Sequence, residues 1–591
     1  MKMKALILIV IFFLVSYTGC RKDHEAEAQK FLDTYTRTYQ ALDYESSKGS
    51  WLANTDINEK NTQIRITARK KLVQFKGKKD NITTAKELLT HKEHLKPVTV
   101  KQLEAVLYEA AKGPGTIPEV TANLVEAEAR QTEALYSFEF KLADGQRVNP
   151  NEIDRMLLEE TDVDKRLKIW QASKEVGRGL KKGLVRLRDL RNGVAREMGY
   201  TSFFDLETSD YGMKAQEMVE LMDRVYREIK PLYAHLYTWV KYKLAERYNQ
   251  PVPAKMPAHW LPNRWAQEWP NIVEGVDLYK LFEEQTPRWV VQKAENFYVS
   301  MGFSRLPEVF WEKSDLYPVS ADSKRKKNTH ASAWHLDLDH DVRSLMSVEN
   351  NSYWFETTHH ELGHIYYFLS YSTPDVPVLL RGGANRGFHE GIGDLIGIAS
   401  KQAPYLREIN LLTDEVEIDQ IQWLLNEALS NIVFIPWSAG VMTHFEYDLY
   451  ENNLPEDEFN RRWWSYVEQY QEVLPPAFRG EEYCDAASKT HINNDPAQYY
   501  DYAMAKLLQY QFHDYICKHI LKTSPHEANY YNSKEVGDYL RGIMSYGQTR
   551  DWRELLREKT GEDLSARAML AYFKPLLEFL QKENEGRKLI F

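Results

Sequence analysis

His360 and His364 stand four residues apart, and Glu361 directly follows the first of them; together they form the HExxH pattern within HHELGH. On a helix this spacing places both imidazoles on one face, one turn apart, where two ring nitrogens can reach a single zinc ion. A random chain with 17 His and 86 acidic residues would show His-acid-x-x-His about 0.07 times, so the motif is moderately specific. The ordinary alternative, two core or helix-surface histidines, leaves the glutamate in this register unexplained.

Catalytic zinc takes three protein ligands and keeps its fourth position for water. Glu390 is the best third donor: it opens a helical stretch from Glu390 to Ser400, Gly387 provides a turn ahead of it, and Asp394 follows one turn later to orient a ligand histidine. The competing reading makes Glu390 and Asp394 an acidic first turn stabilised by the helix dipole. Glu361 is then the general base, drawing a proton from water whose pKa the metal lowers to about 7 and passing it to the leaving amine. This is peptide hydrolysis, and it further requires Tyr or His donors for the oxyanion.

Such residues need a scaffold. Apolar residues recur at three- and four-residue spacing, as in Ala105, Val106, Tyr108, Ala110 and Ala111, or Val219, Met222, Val225, Tyr226 and Ile229, which predicts a mainly α fold. Turn-rich breaks fall near Gly113 to Pro118, Pro251 to Pro262 and Pro475 to Gly480, and strand-like alternation is confined to Pro307 to Trp311 and Ala331 to Leu338. With no Gly/Ser linker and no repeat, residues 24–591 read as one catalytic domain in two lobes around a cleft. A chain of 591 residues with 43% hydrophobic content can bury such a core. Net charge is −10 and the acidic and basic residues are interspersed, which excludes a nucleic-acid partner; Lys324 to Lys327 is a solvated loop.

Lys2 and Lys4, the apolar run Ala5 to Val15, and Thr18-Gly19 before Cys20 mark residues 1–19 as a signal peptide of lipoprotein type. Cys20 is the expected lipidation site, residues 20–23 a short tether, and the location the bacterial cell envelope, held to a bilayer by acylation only. No second apolar stretch approaches the ~20 residues of a membrane helix. Of three cysteines, Cys484 and Cys517 remain as a candidate pair, and neither belongs to a CxxC motif. Trp265, Trp269, Trp463 and Trp464 are expected to pack.

Several blocks in order, EAEAQKFLDTY (25–35), RWAQEWPNI (264–272), THASAWHL (329–336), HHELGHIYYF (359–368), GGANRGFHEGIGD (382–394) and KTHINNDPAQYYDYAMAKLLQYQFH (489–513), resemble the angiotensin-converting enzyme family of peptidyl-dipeptidases. The resemblance implies a helical, deeply clefted fold whose N-terminal helices form a lid, one zinc per chain, and release of dipeptides from short peptides with a free C-terminus. A monomer is expected. Position by position, His360, His364 and Glu390 match the zinc ligands, Glu361 the base and Asp394 the residue behind the ligands. His491 and Tyr502 match the residues that steady the tetrahedral intermediate. Gln267, Lys489 and Tyr499 match the grip on the substrate carboxylate, and His330, Ala331 and Ala333 the edge that pairs with the peptide main chain. Read without the family, Tyr499 and Tyr502 are equally core aromatics, and Lys489 and Gln267 surface groups.

The sequence departs from the family in places. The segments from His364 to Glu390 and from His491 to Tyr499 are slightly longer than usual. Val467 and Asp501 stand where animal members carry the arginines that bind activating chloride, so weak or absent chloride activation is expected. Three rival readings remain: a monocarboxypeptidase, whose branch carries arginine at the position of Gln267; a thimet-type oligopeptidase; and an inactive peptide-binding lipoprotein.

Overall fold

A computed structural model describes residues 23–273, 279–320, 322–413, 415–416 and 418–589. The signal segment and Cys20 lie outside the described residues. The mainly α expectation holds: helices dominate, and the strands among the described residues form three two-stranded sheets.

Four helices begin the chain: α1 (His24–Thr55), α2 (Glu59–Lys76), α3 (Lys79–Leu89) and α4 (Pro97–Ala111). Asp23 caps α1 by accepting from the Ala26 amide, and Pro97 starts α4 where its missing N–H costs nothing. These helices close a small core of their own, in which Ala28, Leu32 and Tyr35 meet Ala85, Leu88, Leu103 and Val106. Beyond it lies one large core containing most of the remaining buried apolar side chains.

The site is built from later elements: the hairpin β1 (Ser332–His335) and β2 (Val342–Leu345), then α5 (Ser352–Tyr371), α6 (Arg386–Lys401), α7 (Thr490–Asn494) and α8 (Tyr500–Tyr515). β1 pairs antiparallel with β2, Ala333 facing Ser344, and its other edge has no strand partner among the described residues. α1 lies across this hairpin: Trp51 packs with Leu336 and Leu345, and Tyr44 donates to Asp341 at 3.2 Å. α4 reaches the body through Tyr108, whose hydroxyl donates to Glu207 at 2.8 Å.

Three expectations change. Pro307 to Trp311 is no strand: Pro307 is the N-cap of a short helix, Glu308–Lys313, because burying Phe310 on one side needs no strand partner. The helix bearing Glu390 starts four residues earlier than expected, at Arg386, because Asn385 caps it by accepting from the Phe388 amide. Cys484 and Cys517 are both buried and free. Among the described residues no helix is long and apolar enough to cross a membrane.

Candidate active site

α5 carries His360, Glu361 and His364, and Asn351 caps its start by accepting from the Trp354 amide at 2.9 Å. α6 packs against α5 so closely that glycine is needed on both: a Cβ on Gly363 would sit 3.1 Å from Gly393 Cα, and one on Gly393 would meet the His360 ring at 2.8 Å. This approach brings Glu390 to the two histidines. His360 Nε2 lies 3.1 Å from His364 Nε2. Glu390 Oε2 is 3.7 Å from the former and 4.0 Å from the latter. Glu390 is in the second turn of α6, not in its first, which removes the helix-dipole explanation for it.

The far nitrogens of both rings are engaged. His360 Nδ1 faces Asp394 Oδ1 at 3.3 Å, which puts its proton there and leaves Nε2 as a lone pair. His364 Nδ1 meets His389 Nδ1 at 2.7 Å. Two imidazole nitrogens and a carboxylate oxygen thus converge on one point, a donor set that a metal cation would bridge. Tetrahedral zinc with bonds of about 2.0–2.1 Å separates its ligand atoms by roughly 3.3 Å, close to the spacings present. The donor set therefore fits zinc.

Asp394 is held from behind. Burial raises its carboxyl, but Lys506 at 2.9 Å and the hydrogen bond to His360 pull it well below the usual carboxylate range. Burial pushes the Glu361 carboxyl up to about 7, and its Oε2 has no hydrogen-bond partner among the described residues. Gly393→Ala, which drives a methyl into the His360 ring, is expected to weaken zinc affinity by about tenfold or more. Competition against a chelating indicator measures this, and unchanged affinity would refute the close-packing account.

A second group lies alongside. Lys489 Nζ donates to Gln267 Oε1 at 2.5 Å and lies 4.5 Å from the Trp265 ring, 5.3 Å from Tyr499 and 5.6 Å from Trp437. Burial pushes this ammonium down to about 7. The His491 ring lies 4.9 Å from Tyr499 and 6.0 Å from Tyr502, and burial with the nearby Lys489 charge lowers it to about 4, so it is neutral at pH 7. Its Nδ1 has no partner among the described residues. Burial, with the charges of Asp501 and Glu390, raises the Tyr502 phenol, which keeps it a donor. Contacts thus run from Tyr502 through His491 and Tyr499 to Lys489 and Gln267. His330 is exposed two residues ahead of β1, with Ala331 and Ala333 following it.

Sequence reasoning missed four participants. His389 and Lys506 act through His364 and Asp394, and neither carried a motif of its own. Trp265, expected only to pack, covers the Lys489 ammonium as a cation–π partner. Arg386, unremarked in GGANRGFHEGIGD, lies beside Tyr502.

Residues 22–590 match the family model described as Angiotensin-converting enzyme (peptidase M2). The chain is 30% identical over 582 residues to an angiotensin-converting enzyme of Mesocricetus auratus, covering 95% of this chain and 43% of that protein. It is 29% identical over 594 residues to one of Theromyzon tessulatum, covering 95% and 93%, and 31% identical over 589 residues to one of Bos taurus, covering 96% and 44%. It spans less than half the length of the Mesocricetus and Bos relatives and nearly all of the Theromyzon one. A match across almost its whole length, joined to the helical fold and the His-His-Glu cluster, means that the chain belongs to the angiotensin-converting enzyme family.

Proposed function

We propose that this chain is a zinc-dependent peptidyl-dipeptidase, a metallopeptidase that removes dipeptides from free peptide C-termini. The observation that carries the reading is the convergence of His360, His364 and Glu390 on one point, with the unpartnered Glu361 carboxylate beside it. Those three residues would hold Zn²⁺, which when bound supplies Lewis-acid polarisation and makes water acidic enough to attack at neutral pH.

The chain's own groups do the rest. Lys489, Gln267 and Tyr499 bind the substrate's terminal carboxylate, with Trp265 limiting the ammonium's freedom. The free edge of β1, from His330 through Ala331 to Ala333, pairs with the peptide main chain, so that register selects the bond to be cut. Glu361 takes a proton from the attacking water and returns it to the nitrogen of the leaving dipeptide. His491 and Tyr502 donate to the oxygen that becomes negative at the scissile carbonyl. α1 to α4, with their separate core, act as a lid that admits short or flexible peptides. We further read the protein as an exported monomer tethered to a bilayer through lipid on Cys20.

The test incubates the purified chain with a blocked tripeptide and its C-terminally amidated copy, with and without chelator. Dipeptide release from the free acid, with only slow cleavage of the amide, both abolished by chelator and restored by zinc, is the expected result. Release of single residues or cleavage of the amide at equal rate would defeat the reading.

A further inference from the structure

Arg386 is the first residue of α6, where a cation opposes the helix dipole. Its guanidinium is nevertheless fully engaged. It bonds Asp495 bidentately, Nη1 at 3.1 Å and Nη2 at 2.8 Å, and reaches Gln498 Oε1 at 3.2 Å. Nε lies 2.9 Å from Asp501 Oδ2, and Nη2 lies 3.5 Å from the Tyr502 hydroxyl. These partners lie 109 or more residues further along the chain. Arg386 therefore ties the start of the helix that carries Glu390 to the segment that carries His491 and Tyr502. The backbone allows this because Gly387 approaches α8 closely: a Cβ there would meet Met504 Cβ at 3.1 Å and the Asp501 carbonyl at 3.2 Å.

Asp501 is fully buried and neighbours Tyr502 in the first turn of α8; burial pushes its carboxyl up to about 8, and the Arg386 guanidinium at 2.9 Å and the helix N-terminus oppose that and favour the anion. Two phenols, Tyr211 and Tyr500, stand in edge contact at 5.3 Å. Burial raises both phenols, with the charge of Asp501 adding to it, and the Tyr500 hydroxyl has no hydrogen-bond partner among the described residues. Asp501 Oδ1 likewise has none. A buried carboxylate paired with a guanidinium at 2.9 Å is the setting of a bound anion, here covalently part of the chain.

Resting on the peptidase reading above, we propose that the Asp501 carboxylate serves as a built-in anion that holds Arg386 against Tyr502 and so aims the tyrosine hydroxyl at the developing oxyanion. Asp501 and Arg386 are positioning residues for this reaction. The arrangement also gives a physical reason to expect no activation by external chloride: the place beside the cation is already filled by a charge that cannot dissociate.

The experiment uses the zinc-loaded full chain and compares wild type, Asp501→Ala and Asp501→Asn on the blocked tripeptide. Each is assayed in anion-depleted buffer and in rising formate or chloride. Asp501→Ala opens a vacancy beside Arg386. It should lose roughly 10–100-fold in kcat, the size of a misplaced oxyanion donor, with KM and zinc content little changed, and should regain activity saturably with formate. Wild type should be flat in both anions. Asp501→Asn fills the vacancy with a neutral amide, so it should lose kcat and show no rescue. A merely structural role would lower stability and zinc content without saturable rescue. A folded Asp501→Ala enzyme with wild-type kcat, a loss that neither anion repairs, or chloride activation of wild type overturns the proposal. Should Asp501→Ala not fold, wild-type kcat in Asp501→Asn overturns it and a selective kcat loss sustains it. An inactive wild type would instead defeat the peptidase reading itself, and this inference with it.

Discussion

Glu361→Gln retains zinc and loses about 10³-fold in kcat, with KM for a blocked tripeptide altered by less than about threefold. Glutamine has the shape of glutamate but cannot accept a proton from the attacking water or carry it to the leaving nitrogen. Glu361 is not among the three metal donors, so zinc content should stay at one per chain. The buried carboxyl is already raised to about 7, so a neutral replacement strands no charge and the fold should persist. Steady-state kinetics alongside metal analysis distinguishes this outcome from loss of zinc. Undiminished kcat would eliminate Glu361 as the base.

Lys489→Ala raises KM for the free-acid tripeptide by about 10²-fold, while slow cleavage of the amidated copy stays where it was, so discrimination between the two collapses. The reasoning is electrostatic. Lys489 is buried beside Gln267 and three aromatic rings, where a substrate carboxylate would be its counter-charge. Burial lowers the empty-cleft ammonium to about 7. Below that pH the lysine is charged and ready to pair. Above it, binding must draw a proton onto the nitrogen, so KM for the free acid should climb as pH rises beyond about 7. The amide and the Lys489→Ala variant should not show this climb. A KM that is flat in pH, or an unchanged acid-to-amide ratio in the variant, would place the carboxylate grip elsewhere.

The two histidines and the base were legible because a helix converts sequence spacing into geometry: residues four apart share a face whatever surrounds them. The breaks near Gly113, Pro251 and Pro475 were legible because Gly and Pro act locally too. Glu390 was only half legible. Its residue type suited zinc, but a carboxylate near a helix start also suits the helix dipole, and only the cap at Asn385 shows that the helix begins a full turn earlier. Trp265 and Lys489 read as packing and surface groups without the family, because burial and a cation–π contact belong to the folded neighbourhood. The alternation from Pro307 to Trp311 misled for the same reason, since a short apolar run becomes a strand only where a neighbour accepts its hydrogen bonds.

By itself the sequence determined a helical chain, a two-histidine metal motif with its glutamate and, through the ordered blocks, a family. These are local or patterned properties, written in residue type and spacing. The tertiary structure decided which distant side chains meet: Gly363 against Gly393 to deliver Glu390, Lys506 behind Asp394, and Arg386 between Asp495 and Asp501. Such meetings depend on how closely helix surfaces approach and on what burial does to charge. Both arise from packing across large sequence separations, which no local pattern records.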